Sequence, residues 1–226
     1  MELLRTKYLT KTYGVKETEV KALKPTELTI EKGEFTAIVG PSGSGKSTLL
    51  HLLAGLDKPS AGQVFINDID IYSMSERELS RFRRRNVGFI FQFFNLIPIL
   101  SVEENIKLPL LMDGKKIDEA YINEIMETLD IKNRKNHLPG EISGGQQQRT
   151  SIARALANKP SIIFADEPTG NLDSKNSSEV LELLTMSIKK YNQTLVMITH
   201  DSSIASRADR VITIADGEIV ADKRVK

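Results

Sequence analysis

Short blocks of consecutive apolar residues alternate along the chain with stretches in which apolar side chains recur every three or four positions. FTAIV at 35–39, VGFIF at 87–91, SIIFAD at 161–166 and TLVMITH at 194–200 read as strands buried on both faces, because such strands are apolar throughout. VITIAD at 211–216, then a turn at Asp216-Gly217, then EIVA predicts a hairpin. Segments 3–12 and 20–30 predict antiparallel edge strands joined by polar turns. A helix is predicted from Lys46 through LLHLLA, with Gly55 as its C-cap. Helical spacing returns at 117–129 and again at 144–158, where it stops ahead of Pro160. The expectation is an α/β protein: a parallel-sheet core, an antiparallel β subdomain, and a helical lobe over roughly 93–159 inserted between two strands, all in a single domain spanning 1–226.

Bulk properties narrow the possible partners. A chain of 226 residues is long enough for one large core. Lys and Arg number 31 against 30 Asp and Glu, so no overall charge attracts nucleic acid or anionic lipid, and no nucleic-acid partner is expected. Without cysteine, disulfides and thiolate zinc sites are excluded. No run approaches the roughly 18 apolar residues of a membrane span, and the first residues lack the apolar core of a signal peptide. Any membrane role therefore has to come through a partner.

Chemistry concentrates first at Gly40, Pro41, Ser42, Gly43, Ser44, Gly45, Lys46 and Ser47, which fit G-x-x-x-x-G-K-[S/T] between a predicted strand and a predicted helix. Glycines let the backbone bend so that successive N–H groups face an anion, and the helix adds its positive end. Lys46 can reach β- and γ-phosphates, and Ser47 can ligate Mg²⁺. A flexible glycine turn is the plain alternative; the strand before and the helix after weigh against it. The strand at 161–166 ends in Asp166, followed by Glu167. Beside a phosphate loop, the first carboxylate holds Mg²⁺ and the second can take a proton from water. A second helix opens at Ile142-Ser143-Gly144-Gly145-Gln146, with Ser143 as a natural N-cap and two glycines that admit an anion.

These motifs together resemble the ABC ATPase family. Residues 142–146 are similar to its LSGGQ signature, with Ile142 in place of Leu. Gln92 matches the glutamine of its Q-loop, Asn171-Leu172-Asp173 its D-loop, His200 its switch histidine, and Tyr13 its adenine-stacking aromatic. The matches come in family order and span nearly the whole chain. The resemblance implies a P-loop NTPase (RecA-like) fold with ATP and Mg²⁺ as cofactors. It implies that residues 40–47 and Thr48 bind the triphosphate, that Ser47, Gln92 and Asp166 hold the metal, and that Glu167, His200 and Gln92 serve catalysis. Ser143, Gly144, Gly145, Gln146 and Asp173 would meet the ATP held by the other copy in a head-to-tail homodimer. A separately encoded membrane-spanning permease is the implied partner, which places the chain at the cytoplasmic face of the membrane.

FQFFNLIPILSVEENIKLPLL at 91–111, the SGGQQQR run and DEPTGNLD are similar to the macrolide-export, lipoprotein-release and antimicrobial-peptide-resistance branch of that family. Residues 93–100 read either as lobe core or as a partly exposed groove that grips a helix of the membrane subunit. Arg81-Phe82-Arg83-Arg84-Arg85 reads as a solvated helix face, with a lipid or acidic-partner contact as the lesser alternative. His51 and His137 read as structural or solvated. Two other functions stay open: a soluble ABC ATPase of repair or translation, which a short insert and a single ATPase domain disfavour, and an ATP-gated regulatory module.

Overall fold

The computed structural model describes residues 1–225, apart from the side chains of Glu17, Ser174 and Lys175. Met1–Arg83 together with Thr194 onward forms one compact unit, and Arg84–Gln193 forms a second. Along the first stretch come β1 (Glu2–Tyr13), β2 (Val20–Thr26), β3 (Thr29–Glu31), β4 (Phe35–Val39), α1 (Lys46–Leu53), β5 (Ala61–Ile66), β6 (Ile69–Asp70) and α2 (Glu76–Asn86). The second unit contains β7 (Val87–Ile90), α3 (Val102–Met112), α4 (Glu119–Thr128), α5 (Gly144–Leu156), β8 (Ile162–Asp166) and α6 (Ser174–Lys190). The chain then returns to the first unit with β9 (Thr194–Ile198), α7 (Ser202–Ala205), β10 (Arg210–Ala215) and β11 (Glu218–Arg224).

In the first unit β4 lies between two parallel partners, β9 and β10, and β11 folds back antiparallel onto β10 as the predicted hairpin. All five residues of β9 are buried, as are Phe35, Thr36, Ala37 and Ile38 of β4, which explains their unbroken apolar character. Leu49, Leu50, Leu52 and Leu53 of α1 are buried as well. The helix stops where expected: Ala54 is its C-cap, and Gly55 follows at φ 67, a left-handed turn that glycine adopts without a Cβ penalty.

The antiparallel sheet differs from expectation in two respects. β2 is an edge strand, and its Pro25 is tolerated there because an edge N–H has no ladder partner to lose. β1 is not an edge, because β2 and β5 pair with it from opposite sides. The segment expected at 20–30 breaks into β2 and β3, both paired with β1. Its neighbour β5, AGQVFI, holds buried Val64 and Ile66 but begins with three exposed residues, too weak an alternation to announce a strand.

In the second unit β7 and β8 pair in parallel, with Ile90 opposite Ala165. α3, α4 and α5 fall between them in sequence, so helices are inserted between two parallel strands as expected. α5 ends at Leu156, two residues short of its predicted end. The basic cluster departs from a purely solvated face. Arg83 donates to the Gly55 carbonyl, and Arg85 Nε donates to both carboxylate oxygens of Asp113, at 3.0 and 2.8 Å.

Loop 97–101 is held by one residue. Asn105, fully buried in α3, accepts from the Ile97 N–H at 2.8 Å and donates to the carbonyls of Ile97, Leu100 and Ser101. Ser101 and Glu104 close a reciprocal cap at the start of the same helix. Asn105→Ala strands several backbone groups in the interior and should cost about 2–3 kcal/mol. Urea unfolding monitored by circular dichroism measures this; a midpoint equal to that of the parent protein would contradict the clamp.

Candidate functional site

Within the first unit, the chain leaves β4 into a loop whose Gly40, Gly43 and Gly45 have φ of 149, 77 and 99. At two positions the glycine is obligatory. A Cβ on Gly40 would collide with the Ile214 carbonyl oxygen, and one on Gly45 with the Ala22 carbonyl oxygen. Both obstacles are backbone and cannot swing aside. The hairpin turn contributes to the same support: Gly217 N–H donates to Ser44 O at 3.0 Å, and the Gly217 carbonyl accepts from Lys24 N–H at 2.9 Å.

α1 starts at Lys46 with no side-chain cap, so its first-turn N–H groups are presented toward the loop. Lys46 is buried, and its ammonium is curled back onto the loop, donating to Gly40 O at 3.0 Å and Pro41 O at 2.8 Å. The Ser44 hydroxyl is buried without a hydrogen-bond partner. A backbone nest, a helix N-terminus and a buried ammonium make one anion cradle, and a polyphosphate fits it in charge and in donor chemistry. Ser47 lies on the first turn of α1 and is exposed. β9 pairs with β4 so that Ile198 faces Ile38, and Thr199 N–H extends the ladder to Ile38 O at 3.2 Å. His200, exposed and two residues beyond the end of β9, is thereby placed beside the start of the loop. Tyr13 ends β1 with its ring partly exposed.

The second unit gathers the carboxylate pair and the glutamine. β7 stops at Ile90, one residue short of the predicted 87–91, because the ladder with β8 stops there, so Gln92 lies two residues past the strand. Asp166 ends β8, and Glu167 follows with φ 43, a left-handed conformation that costs a non-glycine residue about 1–3 kcal/mol. Gly170 N–H donates to Glu167 O at 3.0 Å, and Asn171 Nδ2 donates to Gln92 O at 2.8 Å. A Cβ on Gly170 would stand 2.9 Å from Gln92 Nε2. Gly170 and Asn171 therefore hold Gln92 and Glu167 in one neighbourhood; sequence reasoning assigned neither residue that role.

At the start of α5, Ser143 Oγ accepts from Gln146 N–H at 3.3 Å and Gln146 Oε1 accepts from Ser143 N–H at 3.0 Å, a capping box. A Cβ on Gly145 would lie 3.1 Å from Asn176 Oδ1, and one on Gly144 would touch Leu172. Asp173 is exposed and turned to its own chain, accepting from Asn176 N–H and Nδ2 at 3.0 and 2.5 Å. The signature-like segment, the 171–173 loop and the head of α6 thus pack locally on one another.

The model of the family described as ABC transporter matches residues 23–170. The lipoprotein-releasing system ATP-binding protein LolD of Geobacter metallireducens is 45% identical over 97% of this chain and 99% of its own length. The macrolide export ATP-binding/permease protein MacB of Marinobacter nauticus is 47% identical over 97% of this chain, which spans 34% of that protein. Among solved structures, the dimeric post-hydrolysis state of the Methanocaldococcus jannaschii ATP-binding cassette MJ0796, bound to ADP and Pi, superposes with a TM-score of 0.90 at 42% identity, covering 99% of both chains.

Gly45→Ala tests the cradle. It introduces a Cβ against a backbone carbonyl at a positive φ. Binding of ATP should weaken by more than about tenfold while the far-ultraviolet circular dichroism is retained. Unchanged affinity by equilibrium dialysis would show that the loop does not hold the phosphates.

Proposed function

Because this chain belongs to the ABC transporter family as an ATP-binding, ATP-hydrolysing subunit, we propose that two copies close head to tail around two ATP molecules and so drive a separately encoded membrane-spanning permease. One observation carries this reading. The chain holds two glycine-bearing helix N-termini, α1 behind the phosphate loop and α5 behind Ser143, and each has backbone N–H groups suited to phosphate. The dimeric state of the MJ0796 cassette supports the pairing.

In this mechanism residues 40–48 take the triphosphate. The Lys46 ammonium exchanges the Gly40 and Pro41 carbonyls for β- and γ-phosphate oxygens, replacing two neutral acceptors by charged ones. Glu167 accepts a proton from the attacking water. His200 contacts the γ-phosphate from the end of β9. Ser143, Gly144, Gly145 and Gln146 meet the γ-phosphate held by the opposite copy, and Asp173 steadies the facing loop. Tyr13 stacks on the adenine. Ser47, Gln92 and Asp166 offer hydroxyl, amide and carboxylate oxygens, hard donors that fit Mg²⁺. When bound, Mg²⁺ would neutralise charge on the transferred phosphoryl group. Cleavage removes the group that both copies contact, and with it the differential affinity for the closed dimer.

No helix among the described residues is long and apolar enough to cross a membrane. The permease contact falls to the segment after Gln92, where Phe93 is 68% and Ile99 81% exposed while Asn105 fixes the backbone. That favours the groove reading over the core reading for these side chains, in helix-in-groove fashion at the cytoplasmic face of the membrane. The names of the LolD and MacB relatives speak of lipoprotein release and macrolide export; for this chain the reading is export, or transmission of motion, for a lipoprotein, peptide or drug.

Glu167→Gln keeps the shape of the side chain and removes its basicity. Hydrolysis should slow by about 10²–10⁴ while ATP binding persists. Gel filtration with MgATP should then show a dimer; a monomer at every ATP concentration would sink the sandwich.

A further inference from the structure

Tyr13 does not hold its ring in place alone. Its hydroxyl donates to Asp57 Oδ2 at 2.7 Å. Asp57 uses its other oxygen, Oδ1, to accept from Lys11 Nζ at 2.8 Å and from the Lys58 N–H at 2.7 Å. The Lys11 ammonium also donates to Lys58 O at 2.6 Å and stands 4.7 Å from the centroid of the Tyr13 ring. One face of the ring is thereby covered by a cation, while the residue as a whole keeps 42% of its surface exposed.

The tether runs back to α1. Tyr72 Oη lies 2.6 Å from both the Leu52 and the Asp57 carbonyl oxygens, and Asp57 N–H reaches His51 O at 3.4 Å. Asp57 is thus pinned to the C-terminal end of the helix whose first turn cradles the phosphates. Burial works to raise the Asp57 carboxyl, but hydrogen bonds from Lys11, Tyr13 and the Lys58 N–H outweigh it and hold the group below the usual carboxylate range. Burial, then the bond to Asp57, raises the Tyr13 phenol, so the hydroxyl stays a donor at neutral pH.

We propose that Lys11 and Asp57 are positioning residues for base recognition: Asp57 fixes the tilt of the Tyr13 ring through its hydroxyl, Lys11 covers one face, and the remaining face is a one-sided stacking platform for the purine of ATP. The proposal rests on the reading that Tyr13 meets the base. A free tyrosine would lose rotamer freedom on stacking; a ring already fixed at its hydroxyl and on one face loses less, and that difference appears as affinity. Selectivity follows as well, because a purine can approach from one side only.

Binding is measured for ATP and for inorganic tripolyphosphate, which has phosphates and no base, each with Mg²⁺. Asp57→Ala and Tyr13→Phe should each weaken ATP by about three- to tenfold and leave tripolyphosphate unchanged. The double variant should be no weaker than the worse single one, since both remove the same tether. Lys11→Met should also weaken ATP selectively. If Asp57→Ala weakens ATP and tripolyphosphate alike, its role is structural and the proposal fails; it fails equally if ATP affinity is unaltered or if the two effects add in full. Should Asp57→Ala not fold, Tyr13→Phe alone decides, because it removes one oxygen from a folded platform, and parent-like ATP affinity in it overturns the tether. Tyr13→Ala separates the two readings. An unaltered ratio of ATP to tripolyphosphate affinity there removes Tyr13 from the base site altogether, whereas a lowered ratio with Asp57→Ala silent removes only the tether.

Discussion

A peptide N–H carries no net charge, yet several aimed at one point ahead of a helix make a positive site that no side chain has to supply. In this protein the aim depends on backbone that only glycine can adopt. Gly40 and Gly45 bring the loop against the Ile214 and Ala22 carbonyls, closer than any Cβ would allow. The hairpin turn at Gly217 then fastens the loop through Ser44, and the buried Lys46 ammonium lies inside it. Much of the first unit serves this arrangement. β4, flanked by β9 and β10, delivers the loop, the four buried leucines of α1 fix the helix behind it, and the β9 ladder sets His200 beside it.

α1 also works as a ruler. Its first turn backs the glycine loop proposed to take the phosphates, and the turn beyond its last holds Asp57, the acceptor for the Tyr13 hydroxyl. Under the proposed roles, phosphate and base recognition would both be referred to a single helix of eight residues, about 12 Å long. In the second unit a comparable economy ties Gln92 and Glu167 to Gly170 and Asn171, while Ser143 and Gln146 cap α5 with the groups that the dimer model directs at a phosphate. A cap that can be exchanged for a stronger, charged acceptor lets nucleotide compete with the protein's own hydrogen bonds.

Much of this was legible in the sequence, for physical reasons. β4, β8 and β9 are buried along their length, so their apolar runs are unbroken and stand out. The phosphate loop was legible because its glycines and lysine are fixed in spacing by backbone geometry. The interior position of β1 was not, because it depends on β5, whose first three residues are exposed. Nor was the left-handed backbone of Glu167, which no composition signals. The arginines of α2 read as a solvated run because Asp113, which Arg85 grips, is 28 residues away. Lys11 and Asp57 carry no local signal for the same reason: the partners are 46 residues apart.

The central claim is that a working site is made from two copies, one giving the phosphate loop and the other the Ser143 segment. Mixing two inactive chains tests it directly. Lys46→Ala disables the loop and Ser143→Arg the segment, so a mixed dimer retains one site in which both contributors are intact. The account predicts that the mixture regains ATP hydrolysis that neither variant shows alone. Activity no greater than the sum of the separate variants, under conditions where cross-linking confirms that mixed dimers form, would mean that each chain completes its own site.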